Sequence, residues 1–171
     1  MKTLTKYLNE KLIIFPSQVD EKLVINKDYH YDVIVPKSFN ELRKIIEDRY
    51  NELGPGTKDK PVDFNDVDVS NSDSFCNINE GIFDGTKFEY IDISYWNVSN
   101  VKNMKYMFEN SRFNGDISGW DVSKVESMTR MFQESVFNKD ISNWDVSKVK
   151  IMDGMFSYSP LENNPPKWYK E

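Results

Sequence analysis

The chain has 171 residues, of which 39% are hydrophobic and 14% aromatic, and this composition is too apolar for a disordered protein. Its formal net charge of -6 argues against nucleic acid and anionic membrane surfaces as partners. The single cysteine, Cys76, excludes an internal disulfide and any zinc site built from several cysteines, and no apolar run is long enough to span a bilayer.

Residues 1–28 are predicted to form an N-terminal helix and a connector. Leu4, Tyr7, Leu8 and Leu12 fall at helical spacing, which predicts a helix from Thr3 to Ile13. Pro16 follows this helix, so residues 14–30 are predicted to be a connector or a short extended segment.

The first ten residues also suggest where the protein is located. Met1-Lys-Thr followed by Leu8-Asn9-Glu10 resembles the leaders that carry internal proteins into tailed-phage heads, where a protease cuts after Leu/Ile-x-Glu. This resemblance implies a virion protein that loses residues 1–10. Because the segment is too polar for the apolar part of a secretory signal peptide, we expect a protein of the host-cell cytoplasm or, alternatively, of the virion.

Residues 29–60 are predicted to form an N-terminal cap of one strand and one helix, followed by a loop. The β-rich run from Tyr29 to Val35 ends at Pro36, which cannot donate a hydrogen bond. Ser38 and Glu41 match a capping box, and Gly54-Pro55 is typical of a helix end. The apolar stripe of this helix consists of Phe39, Leu42, Ile46, Tyr50 and Leu53.

Residues 61–171 are dominated by one pattern that recurs every 24 residues within residues 91–160. The recurring residues include Trp96, Trp120 and Trp144, then Val101, Val125 and Val149, and then Met104, Met128 and Met152. A fixed period of this length is typical of a solenoid, in which each repeat buries its apolar side against its neighbours.

The spacing inside one repeat predicts its secondary structure. Ile93, Trp96 and Val98 fit the strand frame Leu-x-x-Leu-x-Leu of leucine-rich repeats. From Val101 onwards the apolar spacing becomes three, which predicts about two turns of helix up to Phe108. The predicted fold is therefore α/β, a short leucine-rich-repeat solenoid of stacked strand-helix coils with an N-terminal strand-helix cap.

Both ends of the solenoid depart from the repeat pattern. Residues 61–90 are predicted to be a degenerate coil, in which Ile82-Phe83 stands for Met107-Phe108 and an insertion lies around Asn77 to Gly81. Residues 161–171 are predicted to be an edge cap, because Trp168 follows Trp144 by 24 residues while Pro165 and Pro166 deny hydrogen bonds to another strand.

The repeat unit also resembles a known family. The pattern Phe-Asn-x-Asp-Ile-Ser-x-Trp-Asp-Val-Ser-x-Val-x-x-Met-x-x-Met-Phe occurs from Phe113 to Phe132 and from Phe137 to Phe156. It resembles the BspA-type leucine-rich repeats, which also occur in Mycoplasma surface lipoproteins. This resemblance implies a protein that binds other macromolecules and has no catalytic residues in the repeat.

Outward-facing residues of the predicted strands are the candidate binding site. They form two rows, one of Tyr95, Gly119 and Asn143 and the other of Asn97, Asp121 and Asp145. The rows are polar and acidic, which suits a protein or a polar polymer as partner. The three tryptophans of the repeats are predicted to be core residues and not a platform on which sugars stack.

Recurring aspartates raise the question of a metal. Asp92, Asp116 and Asp140 are predicted to lie above one another, which suggests either a Ca²⁺ site or aspartates that accept backbone amides in turns. We favour the turns, because the Asp-rich nonapeptides of calcium-binding repeats are absent from the sequence. No metal and no cofactor are predicted.

Catalytic motifs are absent from the sequence. His30, the one histidine, lies between two tyrosines in a predicted strand, and there is no glycine-rich phosphate loop. The sequence therefore predicts a non-catalytic protein-protein interaction module whose partner is another protein. The alternative is a structural or packaged, head-associated protein of a tailed phage, and an enzyme with an unrecognised site is the third hypothesis.

Overall fold

A computed structural model describes residues 34–77 and 80–170 of the chain. In this part there are one α-helix, α1 (Phe39–Leu53), and two short strands, β1 (Val62–Asp63) and β2 (Ile91–Asp92). The strands pair in parallel with Val62 opposite Ile91. The predicted helix from Thr3 to Ile13, the leader-like segment, His30 and most of the predicted strand before Pro36 lie outside the described residues.

The helix predicted after Pro36 is confirmed as α1. The Ser38 hydroxyl accepts a hydrogen bond from the Glu41 amide at 3.2 Å, as an N-cap residue does. The Glu41 carboxylate accepts from the amide of Lys37 at 2.8 Å, one residue before the N-cap, so the predicted capping box is only half formed. Gly54 ends the helix with a φ of 75°, a conformation that favours glycine.

Arg49 links α1 by hydrogen bonds to residues 63–66, in the segment before the first repeat. Its guanidinium donates to both carboxylate oxygens of Asp66, at 2.6 and 2.9 Å, and to the carbonyl of Asp63 at 2.8 Å. It also lies over the ring of Phe64, 4.9 Å from the ring centroid. This bidentate geometry fixes the orientation of the helix, while Leu42 and Ile46 bury its apolar side.

The predicted leucine-rich-repeat solenoid of stacked strand-helix coils is wrong. Within residues 34–77 and 80–170, α1 is the only helix and β1 and β2 are the only strands, so the structure is a small mixed one. The segment from Val101 to Phe108, predicted to be helical, is a series of turns. Tyr106 in this segment has a φ of 59°, in the left-handed region that a right-handed helix excludes.

Hydrogen bonding explains why this segment is not helical. Four alternate amides of the first repeat (residues 91–114) donate to carbonyls of the second (115–138), at 2.8 to 3.1 Å. These donors are Met104, Tyr106, Phe108 and Asn110, and their acceptors are Ser127, Thr129, Met131 and Gln133. Because the amides bond to the neighbouring repeat, they do not form the i to i-4 bonds of an α-helix.

The segment predicted to be a strand, from Ile93 to Val98, is also made of turns. The amide of Trp96 donates to the carbonyl of Ile93 at 3.1 Å, and that of Val101 donates to Val98 at 2.9 Å. Hydrogen bonds between residues three apart close tight turns. The turns bury Ile93, Trp96 and Val98, the same residues that matched the strand frame of a leucine-rich repeat. The isolated parallel bridges Asn103 to Ser127 and Ser127 to Ile151 join successive repeats outside this segment.

The core contains columns of aromatic rings that run from repeat to repeat. Phe83, Phe108, Phe132 and Phe156 follow one another with centroids 5.3, 5.5 and 5.8 Å apart and with nearly parallel planes. The predicted equivalence of Phe83 with Phe108 is thereby confirmed. Trp168 stacks on Trp144 with centroids 6.4 Å apart, as its position in the period predicted.

No helix in the described part of the chain combines the length and the apolarity that crossing a membrane requires.

Candidate functional site

The two predicted binding rows differ in exposure along the chain. Tyr95, Asn97 and Asp121 are half-buried, whereas Gly119, Asn143 and Asp145 are exposed. The accessible part of this face therefore lies in the second repeat and in the third (residues 139–160). The role of these residues in binding stays a prediction.

Side chains of the second row also hold the backbone together. Asn97, Asp121 and Asp145 each accept the amide of the serine two residues later, at 3.2, 3.1 and 3.0 Å. These are Asx turns, in which the side-chain oxygen replaces a backbone acceptor. Hydrogen bonds from the Ser147 side chain and backbone lower the pKa of Asp145, since both stabilise its charged form.

The first row links neighbouring segments of the chain. The Tyr95 amide donates to the side-chain oxygen of Asn65 at 2.8 Å, and the Asn143 amide group donates to the carbonyl of Ser118 at 2.8 Å. The Tyr95 bond joins the first repeat to the segment before it, and the Asn143 bond joins the third repeat to the second.

The turn interpretation of the other aspartates is confirmed. Asp92, Asp116 and Asp140 accept the amides of Ser94, Ser118 and Ser142, at 3.0, 2.9 and 2.9 Å. The backbone and side-chain hydrogen bonds of Ser142 lower the pKa of Asp140. Within residues 34–77 and 80–170, no three side chains of His, Cys, Asp or Glu come together as a set that could hold a metal ion.

The tryptophans are core residues, as predicted. Trp96, Trp120 and Trp144 are at most 5% exposed, so their rings offer no platform for a sugar. Each indole N–H donates to a backbone carbonyl of the preceding segment: Trp120 to Ile93 at 3.2 Å and Trp144 to Ile117 at 3.3 Å. This bond was not predicted, because a repeating apolar pattern does not indicate where a polar edge points.

An open groove, whose lining includes none of the six residues of the predicted rows, was also not predicted. Its volume is about 880 Å³, and side chains of both charges line it. The charged lining residues are Lys58, Arg112 and Lys139 on one hand and Glu89, Asp92 and Asp116 on the other. Tyr90 and the 46% exposed Val136 add apolar surface. A second groove of about 370 Å³ shares Asn138 and Lys139 with the first and continues to Lys167.

Two asparagines form a polar ladder along this groove. The Asn114 side-chain amide donates to the Asn138 side-chain oxygen at 3.0 Å, and the Asn138 backbone amide donates to Asn114 at 3.1 Å. The two residues are 24 positions apart, so the period places them in one row. The sequence pattern did not show that the residues directly after the buried Phe113 and Phe137 are partly or fully exposed.

Cys76 is half-buried, and its sulfur lies 3.5 Å from the Ser74 hydroxyl. The insertion predicted around Asn77 to Gly81 is closed by an isolated antiparallel bridge between Cys76 and Gly81.

Comparison with known proteins places the repeats in a family. Residues 58–168, about two thirds of the chain, match the profile of the family described as Mycoplasma protein of unknown function, DUF285. The chain belongs to this family. No curated protein and no solved structure is similar enough to the chain to count as a match.

The DUF285 region starts after α1 and includes both grooves and both predicted rows. Helix α1 is therefore an element of this DUF285 protein that packs against the family region without being part of the match.

Proposed function

We propose that this DUF285 protein is a non-catalytic module that binds another protein in the open groove. The observation that carries the proposal is the lining of the groove, which combines three cationic and three anionic side chains with Tyr90 and Val136. Such a mixed surface complements a peptide chain that carries charges of both signs better than it complements a polyanion. The resemblance of Phe113 to Phe132 to BspA-type leucine-rich repeats supports the same class of function.

The rows predicted from the sequence are the competing surface for the same function. Gly119, Asn143 and Asp145 are exposed on it and lie outside the linings of both grooves. An experiment therefore has to separate the groove from the rows.

Site-specific photocrosslinking in cells of the native source makes this separation. A photoreactive residue at position 139 probes the groove, one at position 143 probes the rows, and one at position 44, exposed on α1, is the control. We expect one protein to crosslink from position 139 and not from position 44, and an excess of unmodified chain to suppress the product. Crosslinking from position 143 and not from position 139 would show that the partner binds at the rows and not in the groove.

Charge variants then test affinity for the crosslinked protein. Lys139→Glu should weaken binding at least about tenfold, because it reverses a groove charge, while Lys148→Glu makes the same charge change outside both grooves. Asp145→Asn tests the rows without breaking the turn, since Asn97 already uses an amide oxygen at the equivalent position. Equal affinity of the Lys139→Glu and Lys148→Glu variants would refute the groove.

The alternative function, a head-associated protein of a tailed phage, depends on the leader-like residues Leu8-Asn9-Glu10. Mass spectrometry of purified virions tests it directly. We would accept this alternative if the protein is found there with residues 1–10 removed.

A further inference from the structure

The third repeat contains a row of four amides whose equivalents in the first and second repeats are hydrogen-bonded to the repeat that follows. Met128, Arg130, Phe132 and Glu134 of the second repeat donate to carbonyls of the third repeat at 2.9 to 3.0 Å. The residues 24 positions later are Met152, Gly154, Phe156 and Tyr158, which we call the donor edge. None of these four amides has a hydrogen-bond acceptor within residues 34–77 and 80–170.

The donor edge offers donors but few acceptors. The carbonyls of Met152, Gly154 and Phe156 already accept the amides of Met155, Ser157 and Ser159, at 3.0, 3.2 and 3.0 Å, within turns. The equivalent amides of the first and second repeats donate to the following repeat in the same way. Bonds in the opposite direction, such as those from Glu126 to Lys102 and from Val136 to Ser111, lie on either side of this row. A matching surface must therefore present a row of acceptors.

Side chains at both ends of the donor edge differ from their equivalents. Ile151 is 45% exposed and Tyr158 is 76% exposed. The residues equivalent to Ile151 are Asn103 in the first repeat and Ser127 in the second. Those equivalent to Tyr158 are Asn110 and Glu134. Polar residues are thus replaced by apolar and aromatic ones only in the repeat whose amides lack acceptors.

We propose that the donor edge binds a segment of a partner protein that adopts the same series of turns as the repeats. This segment presents alternate main-chain carbonyls to the four amides and apolar side chains to Ile151 and Tyr158. The segment would continue the row of main-chain hydrogen bonds that already joins the repeats, in a manner analogous to strand addition but with turns in place of an extended strand. The same edge of a second copy does not fit, because donors would face donors. This site adds a second contact surface to the proposed protein-binding function and is independent of the groove.

A peptide of this chain is the first probe, since the junction between its first and second repeats contains the required acceptors. Residues 124–138 contain Ser127, Thr129, Met131 and Gln133, whose carbonyls accept the equivalent amides in the intact chain. We expect this peptide, and not one of scrambled order, to slow hydrogen exchange at the four donor-edge amides of the full chain by at least about tenfold. No binding at millimolar peptide, or binding without this protection, would overturn the proposal.

Side-chain variants locate the effect. Ile151→Lys with Tyr158→Lys should abolish the protection, whereas Val136→Lys should keep it, because Val136 is equally exposed at 46% but lies in the groove. Loss of protection in the Val136→Lys variant would place the peptide in the groove and refute the donor edge, while leaving the groove proposal intact. The four amides could also become protected without peptide as the protein concentration rises, together with dimers in sedimentation. That result would show that the donor edge binds a second copy of this chain and not a partner protein.

Discussion

Each tryptophan of the repeats connects its own repeat to the segment before it. The ring is buried and the indole N–H donates to a backbone carbonyl there, which satisfies the buried N–H and gives the carbonyl a second donor. One residue thus contributes both packing and a hydrogen bond across a junction.

Two substitutions of Trp120 separate these contributions. Trp120→Ala should lower the free energy of unfolding by about 3–5 kcal/mol through the cavity it leaves. Trp120→Phe should cost less, about 0.5–1.5 kcal/mol for the lost hydrogen bond, because it retains an aromatic ring and the Ile93 carbonyl still accepts the Trp96 amide. Urea denaturation at neutral pH measures both values. A Trp120→Phe variant as stable as the native chain would show that the indole hydrogen bond does not contribute.

Gly81 lies where the insertion passes close to the backbone of the first repeat. A Cβ at this position would clash with the Tyr106 carbonyl and lie 2.6 Å from the Met107 Cα. Since backbone atoms cannot rotate away, Gly81→Ala should lower the free energy of unfolding by about 1–3 kcal/mol or more. Gly85→Ala is the control, because a Cβ there meets open space and the cost arises only from its φ of 63°. If thermal denaturation shows equal losses, the contact at Gly81 is not rigid.

At the scale of elements, local signals predicted α1 and failed for the repeats. The Ser38 N-cap and the Gly54 C-cap act through bonds within a few residues, so the sequence is sufficient to place the helix. An apolar residue every third position, as at Val101, Met104 and Met107, suits a helix and a series of turns equally. The acceptors in the next repeat decide between them, and short-range spacing contains no information about those acceptors.

For the candidate site, the sequence predicted which residues occupy equivalent positions but not the hydrogen bonds they form or the groove. The period correctly placed Asn97, Asp121 and Asp145 at equivalent positions, but their role in closing turns follows from hydrogen bonds to the serines after them. The groove was missed because its lining combines residues before the repeats, such as Lys58, with residues from three repeats.

The docking of α1 leads to a further prediction. Arg49→Met should lower the free energy of unfolding by about 1–3 kcal/mol, because the partly buried Asp66 loses a bidentate partner. Arg49→Lys should recover only part of this loss, since a lysine cannot form the same fork. Lys44→Met should have little effect, because it breaks an exposed pair with Asp48 on the same helix. Chemical denaturation of the three variants tests this order, and a loss in Lys44→Met as large as in Arg49→Met would contradict it.

At the scale of the whole molecule, the regular packing of repeats brings like charges together. Asp84, Glu109 and Glu134 come from the segment before the repeats and from the first two repeats. Burial raises the pKa of Glu109 above its ordinary value, and the negative charges of Asp84 and Glu134 raise it further, while Arg130 partly offsets them. Burial and then the charge of Glu80 raise the pKa of Asp84 in the same way, and Arg43 opposes the effect.

The raised pKa of Glu109 determines how stability depends on pH. Between the ordinary pKa of a glutamate and the raised value, the folded chain binds more protons than the unfolded chain, so this residue makes stability fall as pH rises. Above the raised pKa the penalty is complete. Glu109→Gln should therefore stabilise the chain at neutral pH, and its advantage should shrink as pH falls towards the ordinary pKa of glutamate.

Glu126→Gln is the matched control, because a hydrogen bond and the charge of Lys150 lower the pKa of this exposed residue. Its contribution has the opposite sign: it is present above the ordinary pKa and is lost as pH falls through the lowered value. Urea unfolding of the native chain and both variants, at pH values from neutral to below the ordinary glutamate pKa, measures the two trends. A Glu109→Gln advantage that stays constant over this range would show that the pKa of Glu109 is not raised in the folded chain.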